Sequence, residues 1–214
     1  MSFNKTALAL TALAIAMMVG CNQPIGMPDV HAASTTIYCT VADVESYSGH
    51  VDWYKGVMPI WDDYERYSPM ITRAYDETDG RAYPRKNGFC IFDVPDFEPN
   101  GAPTCTLYYY QNAHSGTPDL VVTHADQVSS WPCSDNTLFW AAWNGDPILA
   151  TDSTHASNGW YKVPLTGEGN SVVAACADQT LHAGWICPDS VDGTYTEVCG
   201  ATSDYPPYIK VVYD

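Results

Sequence analysis

Basic side chains are scarce in this chain: nine Lys and Arg stand against 25 Asp and Glu in 214 residues, a formal net charge of −16. A surface of that sign repels nucleic acid and anionic lipid and attracts divalent cations. Catalytic signatures are missing as well. There is no G-x-S-x-G, no H-E-x-x-H and no phosphate-cradling glycine loop. The six histidines (His31, His50, His114, His124, His155, His182) stand singly, mostly in turn-like contexts. No CxxC and no His–Cys cluster with metal spacing occurs, which argues against a zinc site. Asp62, Asp63 and Glu65 offer carboxylates for glycosidic cleavage, but successive residues on an extended strand point to opposite faces. No internal repeat and no low-complexity tract is visible. The chain is read as neither an enzyme nor a nucleic-acid binder.

What is there begins with a leader. Residues 1–20, "MSFNKTALALTALAIAMMVG", carry one lysine, an apolar run and no acid, the build of a secretory signal too short to span a bilayer. Met18-Val19-Gly20-Cys21 resembles the bacterial lipobox, which makes Cys21 the candidate lipid-attachment site. The rival reading is ordinary cleavage near "VHAAS", after Ala32 or Ala33. Either route exports the protein, and a lipid at Cys21 would be its one link to a membrane. Residues 21–36, rich in Pro and Gly at their start, read as a tether. The remainder, 37–214, is long enough for one sizeable domain.

Beyond Cys21 seven cysteines remain, and an exported chain of this size with that number implies a disulfide framework with one thiol left over. Cys90 and Cys105 both alternate with apolar residues, on strands that "PDFEPNGAP" can fold together. Cys187 and Cys199 flank a stretch whose Asp192-Gly193 suits a hairpin turn. Of the other three, Cys39–Cys133 is the expected bond and Cys176, in the apolar "SVVAACAD", the expected free thiol. The alternative bonds Cys39 to another subunit.

Fifteen Pro, 15 Gly, 15 Tyr and seven Trp suit strands and turns, not a helix bundle. "GFCIFDV" alternates, with Cys90, Phe92 and Val94 on one face; "PTCTLYYY" does the same with Cys105, Leu107 and Tyr109. "DLVVTH", "TLFWAAW", "GWYKVPL", "LHAGWIC", "GTYTEVC" and "YIKVVY" continue the series. "TGEGNSVVAACAD" admits one short helix with Thr166 as its cap. The expected fold is all-β, a single antiparallel β-sandwich, jelly-roll-like and disulfide-stabilised. Its core is to include Phe92, Leu107, Val163, Leu165, Ile209 and Val211, while Trp140, Trp143 and Trp160 are also read as core.

The order "FCIFDVPDF…NGAPTCTLYYY", a Trp-rich middle, "GWYKVPLT" and a closing "PPYIKVVYD" resembles the DNRLRE-type β-sandwich domains of exported surface proteins. "TVADVESYSG" is similar to their opening strand, with Asp43 at its acidic position. The resemblance spans about 37–214. It implies a non-catalytic extracellular module used in adhesion, in carbohydrate-associated proteins or in structural assemblies.

Two stretches are candidate binding sites. "VDWYKGVMPIWDDYERY" sets Trp53, Tyr54, Trp61 and Tyr64 among charges; exposed, such rings stack on sugars, and buried, they form a lid on the sandwich. "YDETDGR" brings Asp76, Glu77 and Asp79 before Gly80, a candidate Ca²⁺ turn without the spacing of a dedicated calcium loop, and equally readable as a solvated acidic turn. The functional expectation is a cell-surface structural or adhesive protein on the outer face of the envelope, assembling with copies of itself into a filament or surface layer. The alternative is a carbohydrate-binding module whose partner is a polysaccharide.

Overall fold

The computed structural model describes residues 34–41, 48–55, 62–67, 69–73, 85–129, 133–188 and 193–214, with 54, 55 and 62–67 described as strand backbone alone. The leader, Cys21, most of the tether, Asp43, Trp61 and the acidic turn of Asp76, Glu77 and Asp79 lie outside the described residues.

Among the described residues, twelve strands and two helices belong to the unit Thr35–Asp214. The strands are β1 (Thr35–Val41), β2 (Ser48–Lys55), β3 (Asp62–Tyr67), β4 (Met70–Arg73), β5 (Arg85–Val94), β6 (Thr104–Ser115) and β7 (Asp119–His124). Helix α1 (Asp135–Asn144) follows, then β8 (Ile148–Ser153), β9 (Gly159–Pro164), helix α2 (Gly167–Ala175), β10 (Gln179–Ile186), β11 (Tyr195–Val198) and β12 (Tyr208–Tyr213). Every described pairing is antiparallel, in the order β1-β12-β6-β11-β4-β5-β10-β7-β8, with β2 and β3 attached beside β5 and β9 beside β6. β1 returns to β5 through Thr40↔Asp93 and Val41↔Phe92. The network therefore closes on itself around a core and is β-sandwich-like.

Period-2 alternation decides which side chains enter that core. On β6 the residues Cys105, Leu107, Tyr109 and Gln111 point in and are buried, while Thr104, Thr106, Tyr108 and Tyr110 point out. All six residues expected in the core are buried: Phe92, Leu107, Val163, Leu165, Ile209 and Val211. Trp185, wholly inaccessible, fills the centre beside Tyr109, with ring centroids 5.8 Å apart.

β5 departs from alternation, because Phe89 and Ile91 are as buried as Cys90 and Phe92. Helix α1 is the reason. It covers the outer face of β5 and β10 and builds a second cluster of Val51, Phe89, Ala125, Val128, Leu138 and Phe139. "TLFWAAW", expected as a strand, forms this helix instead. Ser134 caps it by accepting from Thr137 N–H at 3.2 Å, and Leu138, Phe139, Ala141 and Ala142 recur at helical spacing on its buried side. Helix α2 has the cap that its sequence announces: Thr166 Oγ1 accepts from Gly169 N–H at 2.9 Å, worth about 1 kcal/mol.

None of the expected disulfides is formed. β5 and β6 are not neighbours in the sheet, so Cys90 and Cys105 are held apart, and Cys90 Sγ instead accepts from Trp185 Nε1–H at 3.2 Å. Cys187 and Cys199 end β10 and β11, which pair with other strands and make no hairpin; Cys187 Sγ meets Thr72 Oγ1 at 2.8 Å. Cys39 belongs to the main core and Cys133 packs against the second cluster. Burial pushes the thiols of Cys39, Cys90 and Cys105 up to about 12 and that of Cys187 to about 11.

Close approach of α1 to β10 requires Gly184. A Cβ built there lies 2.7 Å from both Ala142 Cβ and Thr123 Oγ1, and closer still to Ala142 Cα. Thr123 Oγ1 also donates to Ala142 C=O at 2.7 Å, so the helix has no slack to retreat. Gly184→Ala is expected to lower stability by about 2 kcal/mol in urea titration; an unchanged midpoint would show that α1 floats on the sheet.

Candidate aromatic binding face

The outward positions of four strands carry a continuous field of rings. Strand register sets Thr40, Tyr208, Tyr108 and Lys162 side by side across β1, β12, β6 and β9. The adjoining rows are Tyr38, Lys210, Thr106 and Pro164 on one side and Tyr110 opposite Trp160 on the other. Tyr205, just before β12, completes the set. Tyr108 stacks on Tyr208 with centroids 4.7 Å apart and planes 7° from parallel, and Tyr110 stacks on Tyr205 at 4.4 Å. Trp160 stands 5.8 Å from Tyr110, 6.2 Å from Tyr205 and 5.9 Å from Tyr208, while Tyr38 meets Tyr208 at 5.8 Å. Six rings thus touch in one chain. Tyr38 is 52%, Trp160 46% and Tyr205 44% exposed.

A cleft of about 580 Å³ opens at the Tyr38 end, lined by Thr40, Tyr208, Pro206 and Pro207 among others. At the opposite end Asn112 Nδ2 donates to Glu197 Oε1. Packing the rings against one another restricts their rotamers before any ligand arrives. A face of this kind offers ring edges and the free planes of its exposed members, with phenol and indole hydrogen-bonding groups among them. Burial and the neighbouring phenols of Tyr108 and Tyr38 push the Tyr208 hydroxyl up, so it is a neutral donor at physiological pH.

The residues expected to bind sugar fare differently. Trp53 is half-buried, 6.0 Å from Phe139 and 6.2 Å from Trp140 by ring centroids, and so forms part of the α1 contact. Tyr54 and Tyr64 lie in β2 and β3, paired as Trp53↔Tyr64 and Tyr54↔Asp63, with their side chains outside the described residues. Trp160, read from sequence as core, is exposed, and Trp140 is 36% exposed; Trp143 is half-buried, with the Arg85 guanidinium 4.0 Å over its ring. Tyr108, Tyr110 and Tyr208 were legible from parity alone. Once Leu107 and Tyr109 point inward, their neighbours must point out, and the same holds for Tyr208 beside Ile209 and for Trp160 beside Tyr161 and Val163.

Ionisable groups inside the fold are paired with one another. Asp52 is buried between His50, at 3.1 Å, and Lys86, at 2.8 Å. Burial works to raise its carboxyl, but hydrogen bonds and charge from His50 and Lys86 outweigh this and hold it below the usual carboxylate range. Asp152 accepts from Tyr109 O–H at 2.8 Å and lies 3.3 Å from His155, whose ring stacks on Tyr161. Among the described residues no three His, Cys, Asp or Glu side chains are placed to hold a metal ion, and no helix is long and apolar enough to cross a membrane.

No family model matches this chain, and no curated protein matches it, so the site is read from its own geometry.

Two histidines impose a pH dependence on the fold. Burial lowers both His124 and His182 from their ordinary 6.5; Asp126 partly offsets this at His124, while at His182 a hydrogen bond to Val128 C=O opposes it and His124 adds to it. The unfolded chain therefore takes up protons near pH 6.5 that the native chain refuses. Stability is expected to be full above that range and to fall as pH drops toward 5, where carboxylates are still ionised. His182→Gln should flatten this slope in thermal melts at stepped pH, and a slope unaffected by it would assign the effect elsewhere.

Proposed function

We propose that this protein is a non-catalytic, exported surface protein that adheres to polysaccharide through the six-ring face of β1, β12, β6 and β9. One observation carries the reading: large aromatics that ordinarily bury themselves are here held on a solvent-facing sheet, in contact and in register. Sugar rings present C–H faces that lie on aromatic planes and hydroxyls that reach groups at their edges. The rings of Tyr38, Tyr208, Trp160 and Tyr205 follow one another at 5.8, 5.9 and 6.2 Å with their planes 66°, 58° and 88° apart, so a glycan that stacks on one exposed ring, such as Trp160, packs against the edges of the next.

The leader of residues 1–20 supports export, and Cys21 supports retention at the envelope surface by lipid. The jelly-roll-like sandwich is then a rigid carrier for the face. Self-assembly is the second reading. It is favoured by β8 and β9, each of which has one neighbour among the described pairings and so offers an edge to another chain.

Trp160→Ala tests the reading by affinity electrophoresis in gels containing neutral or acidic polysaccharide. Retardation by at least one polymer is expected for the parent chain, with affinity falling about tenfold or more in the variant, since stacking contacts are worth roughly 1–3 kcal/mol each. The melting temperature should fall by only a few degrees, because the side chain touches Tyr110, Tyr205 and Tyr208 but lies outside the core. Parent protein that no polymer retards, but that forms filaments under the electron microscope, would transfer the assignment to assembly.

A further inference from the structure

The charges on the aromatic face run against the rest of the molecule. After Lys86 the chain has two basic residues, Lys162 and Lys210, and both stand on this face. Lys210 is opposite Tyr38 across β1 and β12; Lys162 is opposite Tyr108 across β6 and β9. The four strands that build the face contain no Asp or Glu at all, although acids outnumber bases by 25 to nine in the whole chain. Lys162 is exposed and Lys210 half-buried, and each has a ring as its cross-strand neighbour.

We infer that the ligand is an acidic polysaccharide, a polymer of uronic acid units, whose sugar planes lie on the rings while its carboxylates meet Lys162 and Lys210. This rests on the polysaccharide reading above and narrows it. A neutral glycan gains nothing from ammonium groups beside the rings, and acids or amides there would hydrogen-bond its hydroxyls equally well. A carboxylated polymer, by contrast, is repelled by a chain of net charge −16, and the four strands of this face meet it with two lysines and no carboxylate. The two lysines sit two strand spacings apart, about 10 Å across the sheet, so they can engage carboxylates on separate sugar units. Nucleic acid combines rings and anions too, but its phosphates are denser than two lysines on an acidic protein can neutralise.

Polygalacturonate, a neutral xylan and a single-stranded oligothymidylate are the probes, titrated calorimetrically against the full chain. Polygalacturonate is expected to bind most tightly and to weaken about tenfold between about 0.05 and about 0.5 M NaCl, as screened ion pairs do. The double variant Lys162→Gln/Lys210→Gln should lose that salt dependence and about tenfold in affinity at low salt while melting as the parent does. Xylan bound as tightly as polygalacturonate, or acidic binding indifferent to salt and to the double variant, overturns the inference and leaves the polysaccharide reading standing. Preference for the oligonucleotide, or a face occluded by a second copy in sedimentation, overturns both, as does failure of both polysaccharides to bind.

Discussion

β6 must satisfy three strands and two environments at once, and the rest of the molecule follows from that constraint. Thr104–Tyr108 pair with β12, Gln111–Ser115 with β11, and Thr106–Gln111 with β9 on the opposite edge. A slip of one residue would turn every side chain over, burying Tyr108 and Tyr110 and exposing Leu107 and Tyr109. The pattern forbids this, because Tyr109 is locked inward by Trp185 and by its bond to Asp152. Where β6 runs past β9, Gln111 continues the ladder with its side chain. Its amide donates to His155 C=O at 2.7 Å and to Ser157 C=O, and accepts from His155 N–H at 3.1 Å. A wholly buried polar side chain that satisfies three backbone groups pins the β8–β9 connection, and with it Trp160 at the start of β9. Core register and site geometry are thus one property of one strand.

The interior uses cysteine as a small apolar residue with a weak polar atom. Cys90 takes the one hydrogen bond that Trp185 has to give, and Cys187 joins Thr72, whose hydroxyl also reaches Thr196 C=O. Desolvation keeps these sulfurs protonated, and a protonated thiol is neither a nucleophile nor a metal ligand. Cohesion comes from a core of interlocked strands, with the β1–β5 contact closing what would otherwise be an open edge.

Local alternation was readable in the sequence, and long-range adjacency was not. β6, β9 and β12 announced their inward faces, and residues as distant as Phe92, Leu107, Val163 and Ile209 met in one core as their parity required. Nothing local says that β12 inserts between β1 and β6, or that β5 and β6, joined by a short connection, are parted. The pairings expected for Cys90 with Cys105 and for Cys187 with Cys199 assumed that neighbours in sequence are neighbours in the sheet, and here they are not. Helix α1 was missed for a different reason. "TLFWAAW" is rich in strand-forming aromatics, yet Ser134 before Asp135 and the spacing of Leu138, Phe139, Ala141 and Ala142 are helix signals that composition masked. The aromatic face went unseen because rings in alternating runs were assigned inward by hydrophobicity, when parity had already spent those positions on Leu107, Tyr109, Val163 and Ile209.

Why the rings are there at all can be argued from their neighbours. Strand formation on an outward face asks only for a β-branched or aromatic side chain, and threonine meets the need without exposing much apolar area. This same face shows it. Thr36, Thr40, Thr104 and Thr106 occupy outward positions on β1 and β6, with Thr40 in the row of Tyr208 and Tyr108 and Thr106 in the row of Tyr38. The sheet would therefore stand with threonine throughout, more soluble and no less paired. Rings in six linked positions leave apolar surface in water that threonine would not. A second choice runs the same way: the strands carrying the rings hold both lysines of the chain beyond Lys86 and none of its acids. Cross-strand pairs such as Tyr108–Tyr208 and Tyr110–Trp160 stabilise the sheet itself, so the rings serve the fold as well as the proposed ligand, while the lysines and the missing acids act on what lies against the face.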